Sequence, residues 1–168
     1  MRLSVALAVA FLGACAAPRP PVRAAAKVQQ ALELSAPDLE GHVVDVAADR
    51  GRVRVVDFWA TWCEPCRASL PALDALAREL GPRGLSVYAV SFDEDPTQIP
   101  PFLKEVPVTV PLLWDRGGDK LAARFEIQRL PTTLIVDRRG VIRFVHEGWT
   151  EAQARQERRE LEQLLAEP

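Results

Sequence analysis

The strongest apolar run in the chain is Val53–Trp59, where Val53, Val55, Val56, Phe58 and Trp59 crowd around one aspartate. A run this apolar and β-branched predicts a strand buried on both faces. Past it the period changes. Leu70, Leu73, Leu76 and Leu80 recur at helical spacing, with Pro71 predicted to kink the helix, and Gly81-Pro82-Arg83-Gly84 predicts its end. Residues 85–92 read as a second core strand, 99–106 as a short helix and 107–114 as a further strand carrying Val108, Val110, Leu112 and Leu113. Residues 115–118 predict a turn, and 119–125 a helix with Leu121, Ala122 and Phe125 inward. Residues 132–136 and 141–145 read as a hairpin joined at Asp137-Arg138-Arg139-Gly140. Thr150 and Gln153 predict a capping box before a last helix whose buried stripe is Leu161, Leu164 and Leu165. Upstream, Leu32 and Leu34 alternate with polar residues, Ser35-Ala36-Pro37-Asp38 punctuates, and Val43 to Val46 follow a Glu40-Gly41 turn, which predicts an N-terminal β-hairpin.

The first thirty residues follow other rules. After Arg2, residues 5–12 are apolar but too short to span a membrane, so 1–14 read as a signal peptide. Leu12-Gly13-Ala14-Cys15 resembles a bacterial lipobox, which implies cleavage before Cys15 and lipid attachment to it; cleavage after Ala14-Cys15-Ala16 is the ordinary alternative. Residues 15–30, with Pro18, Pro20 and Pro21, read as an extended Pro/Ala-rich tether, leaving 31–168 as one domain. Apolar residues make up 48% of the chain, enough for a sizeable core. The net charge is −2 with both signs interspersed, which excludes a nucleic-acid footprint and predicts a soluble, mixed surface. His42, beside the first turn, is expected to be solvated.

The chemistry lies where the first core strand becomes a helix. Cys63-Glu64-Pro65-Cys66 puts one thiol at the helix mouth and the other one turn further in. Unpaired N–H groups and the positive dipole end at a helix start stabilise a thiolate, the reactive form of cysteine. Two cysteines at this spacing can also close a disulfide. Half a zinc site is the alternative, but structural zinc wants four ligands, and only Cys15, His42 and His146 remain, with no second close pair.

The segment Phe58-Trp59-Ala60-Thr61-Trp62-Cys63-Glu64-Pro65-Cys66-Arg67, followed by Ser69-Leu70-Pro71 and later by Leu130-Pro131-Thr132-Thr133, resembles the thioredoxin superfamily. It is most similar to the membrane-tethered TlpA/ResA-like thiol–disulfide oxidoreductases. The resemblance runs from about Ala36 to the C-terminus. It implies an α/β thioredoxin-like fold, a central mixed sheet flanked by helices, with an N-terminal β-hairpin and a central αβ insertion ahead of Leu130. It implies that Cys63 attacks a client disulfide and that the more buried Cys66 resolves the mixed disulfide. Two carboxylates are candidates for the proton of Cys66: Asp57, on the buried strand, and Glu94, just past the second core strand. Pro131 is expected to be cis, leaving the Leu130 backbone for an extended substrate, with Trp62, Pro65, Leu130 and Pro131 forming a shallow apolar groove. No cofactor is implied beyond the Cys63–Cys66 disulfide itself. The implied partners are disulfide-bearing exported proteins, apocytochrome c among them, a membrane dithiol donor of DsbD/CcdA type, and the membrane through the lipid; a monomer is expected, outside the cytoplasm. Two other functions compete. A thiol peroxidase of peroxiredoxin type would need a Pro-x-x-x-Thr/Ser-x-x-Cys loop, which is absent. A non-catalytic binding lipoprotein would have no use for an intact cysteine pair.

Overall fold

The computed structural model describes residues 28–168, so the signal peptide over 1–14, Cys15 and most of the tether lie outside the described residues. A hairpin of β1 (Ser35–Pro37) and β2 (Val43–Asp45) comes first. It is followed by β3 (Val53–Trp59), α1 (Cys66–Leu80), β4 (Leu85–Ser91), α2 (Ile99–Glu105), β5 (Leu112–Trp114), α3 (Leu121–Phe125), β6 (Thr132–Val136), β7 (Ile142–Glu147) and α4 (Glu151–Ala166). Strands β3 to β7 form one sheet of five in the order β5-β4-β3-β6-β7. The β3–β4 and β4–β5 pairs are parallel, and β3–β6 and β6–β7 are antiparallel.

The apolar run becomes the middle strand, where both faces are covered, and every residue of β3 is buried. Val53, Val55 and Trp59 face one core with Leu70 and Leu73 of α1, Phe102 of α2, and Leu161 and Leu164 of α4. Val56 and Phe58 face a second core with Leu32, Leu34 and Val46 from the N-terminal segment and with Leu121 and Phe125 of α3. Each fully buried leucine here contributes about 2 kcal/mol of apolar transfer.

Four local expectations shift. The first strand falls on Ser35–Pro37, the residues read as punctuation, while Leu32 and Leu34 are buried ahead of it. Asp38 then closes the turn by accepting from the N–H groups of Glu40 and His42, both at 2.9 Å, and His42 stays exposed as expected. The strand expected over 107–114 shortens to Leu112–Trp114, because the N–H groups of Thr109 and Val110 go to the buried Asp74 of α1 at 2.6 and 3.1 Å. At α4, Thr150 Oγ1 accepts from Gln153 N–H at 3.1 Å, but the Gln153 amide donates to the Glu147 carbonyl at 2.9 Å, so the cap is completed by β7. Gln29 and Gln30, read as tether, already bond to Ile142.

Candidate active site

The site begins where β3 runs out. Cys63 N–H bonds to the Ala60 carbonyl and Cys66 N–H to the Cys63 carbonyl, both at 3.1 Å. Pro65 precedes the helix, and α1 starts at Cys66 itself. Cys63 therefore sits one turn ahead of the helix, and the tight turn through Pro65 brings the cysteines together. They form a disulfide with Sγ–Sγ 2.03 Å and Cα–Cα 5.3 Å. Cys66 is 0% exposed and Cys63 5%, so Cys63 carries the outer sulfur.

The outer sulfur borders a cleft of about 520 Å³ lined by Trp62, Pro65 and Leu130, as expected, and also by Phe92, Ile127 and Arg129. Trp62 stands 70% exposed at its rim, too open for a packing role. The Leu130–Pro131 bond is cis. Pro131 itself is buried behind the cleft wall rather than lining it, and its carbonyl accepts from Gly148 N–H at 2.7 Å.

The two candidate carboxylates end up in opposite surroundings. The Glu94 side chain is 78% exposed and lies 3.7 Å from Arg116 Nε, packed over Gly117. Gly117 has φ +55°, a backbone conformation that favours glycine, while a Cβ there would meet only the end of the exposed Glu94 side chain. Glu94 thus belongs to a solvated ion pair, over a glycine that lines the same cleft as Cys63. Its neighbour Asp93 turns inward instead. Asp93 Oδ1 accepts from the Thr61 hydroxyl at 2.6 Å and Oδ2 from the Ser91 hydroxyl at 2.7 Å, while both oxygens lie 3.1 Å from Thr61 N. Its carbonyl accepts from Trp114 Nε1 at 2.7 Å. Asp93 thereby ties the turn that carries Trp62 and Cys63 to the end of β4. Three acids in a row hid it; the signal was its two-residue offset from Ser91, which returns it to the same side of the strand.

Asp57 is fully buried in the middle of β3. Its Oδ1 accepts from Thr133 Oγ1 at 2.8 Å, and its Oδ2 has no hydrogen-bond partner. Burial pushes its carboxyl up to about 8; the Thr133 bond opposes this and the nearby charge of Glu157 adds to it. Glu157 of α4 is a residue sequence reasoning missed. It is 1% exposed, and neither carboxylate oxygen has a partner. Burial raises it to about 7, with His146 pulling it down and Glu160 pushing it up. Its signal was legible: Glu157 stands four residues before Leu161, on the apolar stripe of α4.

Among the described residues, Asp38, Glu40 and His42 are the side chains grouped closely enough to hold a metal, with ligand atoms within 4.8 Å of one another. They lie on the first hairpin and include neither cysteine, and His146 is bonded to Glu160.

Comparison with known proteins agrees with this geometry. Residues 28–145 match the model of the AhpC/TSA family. The thioredoxin-like protein YneN of Bacillus subtilis is 35% identical over 71% of this chain and 71% of its own length. The thiol–disulfide oxidoreductase ResA of Halalkalibacterium halodurans is 30% identical over 87% of this chain and 81% of its own. A crystal structure assigned as the thiol:disulfide interchange protein DsbE of Chlorobium tepidum superimposes with a TM-score of 0.77 at 27% identity, covering 83% of this chain and 98% of that one. With its thioredoxin-like fold and its disulfide at the head of α1, the chain belongs to the AhpC/TSA family, among the ResA-like thiol–disulfide oxidoreductases.

Proposed function

We propose that this protein is an exported reductase of protein disulfides, held to the membrane by lipid on Cys15. The observation that carries the reading is the asymmetry of the redox pair: an outer Cys63 at the rim of an apolar cleft and a fully buried Cys66 behind it. Cys63 attacks as a thiolate, bonding to one sulfur of the client and releasing the other. Cys66 then loses its proton and attacks Cys63, releasing the second client sulfur; the client gains two electrons and the pair returns to the disulfide. Glu64 is exposed beside Cys63, and its charge disfavours the thiolate, which suits a pair that donates electrons rather than a strong oxidant. Electrons would come from a membrane dithiol donor of DsbD/CcdA type. The clients would be exported proteins with accessible disulfides, apocytochrome c among them, held along the Leu130 backbone. The names borne by ResA and DsbE support thiol–disulfide exchange, and the Leu12-Gly13-Ala14-Cys15 run supports export and anchoring. The peroxidase alternative is weaker, because Val56 and Ala60 stand where its proline and hydroxyl residue would precede Cys63.

Two experiments test this. The reduced protein should precipitate insulin by reducing its disulfides, and Cys63→Ala should abolish the reaction; activity surviving in Cys63→Ala would rule the mechanism out. In cells, Cys15→Ser should move the protein to the soluble fraction or leave it unprocessed. Membrane fractionation unchanged by that substitution, with no lipid mass on the N-terminal peptide, would remove the anchor.

A further inference from the structure

A band of polar groups crosses the buried face behind the disulfide. Asp57, Thr133 and His146 are register partners across β3, β6 and β7, so their side chains share one face. Helix α4 roofs that face with Leu161, Leu164 and Leu165, and one turn earlier it places Glu157 among them. Glu160, on the same helix, closes the outer end of the band, its Oε2 2.6 Å from His146 Nε2. Trp59, the next residue of β3 on this face, shares the core that holds Cys63 and Cys66.

The oxygens in the band are unevenly served. Asp57 Oδ1 has the Thr133 hydroxyl, but Asp57 Oδ2, Glu157 Oε1 and Glu157 Oε2 have no hydrogen-bond partner. One ionised carboxylate without donors is costly in a dry interior, and the charge of Glu157 on the same buried face adds to that cost at Asp57, so the stable arrangement keeps a proton on one of them. Of the other groups facing the pair, His146 opposes the rise at Glu157 and Glu160 adds to it. His146 from β7 is engaged by Glu160, and Glu160 also accepts from Gln156 at 2.8 Å. The α1–α4 ion pair of Glu79 and Arg158 lies on the exposed side of the helices, and the buried polar groups of α1 are Cys66, Ser69 and Asp74, the last bonded to Arg78, Thr109 and Val110.

Building on the reductase mechanism above, we propose that Asp57 and Glu157 act as one unit: a buried carboxyl–carboxylate pair that carries a single proton near neutral pH and receives the proton of Cys66. When Cys66 Sγ bonds to Cys63 Sγ, the bond from Cys63 to the client breaks and the client leaves as a thiolate that takes a proton from water. The Cys66 proton passes to the carboxylate of the pair. It leaves on the side of His146 and Glu160, whose side chains are 9% and 12% exposed. Glu157 acts through Asp57 and is a positioning residue for the proton. The raised pKa values of both acids, about 8 and about 7, agree with a shared site.

The test is the pH dependence of the resolving step, followed by stopped flow as the reduced protein turns over a model disulfide. The wild type should show resolution rising with pH through two overlapping titrations. Glu157→Gln should show one titration, displaced to lower pH by about one unit, because Asp57 no longer feels a neighbouring charge. Glu157→Leu, which continues the apolar stripe and guards against a folding artefact, should show the same displacement. In Asp57→Asn, resolution should slow and the remaining titration should also move down. A wild-type profile retained in both Glu157 variants would overturn the pair and leave Asp57 acting alone. Failure of the wild type to form the Cys63 mixed disulfide at all would instead overturn the reductase reading.

Discussion

Strand β3 buries two charged residues three positions apart, on opposite faces of the sheet, and they are treated differently. Arg54 faces the N-terminal hairpin. Its Nη1 donates to the carbonyls of Val46 at 3.0 Å and Ala47 at 3.4 Å, and its Nη2 to Asp137 at 3.4 Å, leaving only Nε without a partner. Gly140, at φ +91°, gives the guanidinium room, since a Cβ there would lie 3.1 Å from Nη2. Asp57 faces α1 and α4 with one hydroxyl for company and an orphan oxygen. Backbone carbonyls spread around a guanidinium hold a cation that does not titrate, and the result is a pin joining hairpin to sheet. An acid with too few donors is held near the point where it exchanges its proton, and the result is a reactive group. Satisfaction of hydrogen bonds, rather than burial alone, separates the structural charge from the chemical one.

Breaking the pin should have the larger effect on stability. Arg54→Met leaves the Val46, Ala47 and Asp137 carbonyls without their donor and should cost about 3–5 kcal/mol in denaturant unfolding, with little dependence on pH. A loss below the scatter of the measurement would mean the hairpin is held by its apolar contacts alone. Asp57→Asn should move stability the other way. The Asp57 carboxyl sits near 3.9 in an unfolded chain and is raised to about 8 here. The folded state therefore binds the extra proton between these values: the contribution is full below about 4 and is lost as pH rises through about 8. Asn does not titrate, so the variant should match the wild type in acid and exceed it by on the order of 3 kcal/mol near pH 6. A constant difference across that window would show that Asp57 is not the buried acid described.

Smaller effects sharpen the comparison at the active-site turn. Asp93→Asn weakens the acceptor for Thr61 and should cost about 1–2 kcal/mol. It should slow attack by Cys63 roughly tenfold through misplacement of the turn, an effect read in single-turnover kinetics. Glu94→Gln removes only a solvated partner of Arg116 and should change rates by less than about twofold. A larger loss from Glu94→Gln than from Asp93→Asn would reverse the assignment of the two acids.

Strong periodicity made most of the fold legible. The run at Val53–Trp59, the leucines after Cys66 and the hairpin at Asp137 to Gly140 each had one reading, and the structure follows them. The misses share a cause: a local pattern outvoted by a distant partner. Val108 and Val110 alternate like a strand, but the carboxylate of Asp74, more than thirty residues earlier, takes the backbone donors of the segment. Asp93 and Glu94 differ by one carbon in sequence, and only the direction in which β4 ends separates the clamp from the solvated acid. At the site, Cys63 and Cys66 were readable from spacing and flanks. Glu157 was readable only by asking why an acid stands on an apolar stripe.

The most direct test of the account is to reduce Cys66→Ala, mix it with a peptide disulfide and map the product by mass spectrometry. The account predicts a stable mixed disulfide on Cys63 alone, because the outer sulfur attacks and no resolving thiol remains to release it. Peptide mass absent from Cys63, with the reciprocal Cys63→Ala trapping the peptide on Cys66, would contradict it.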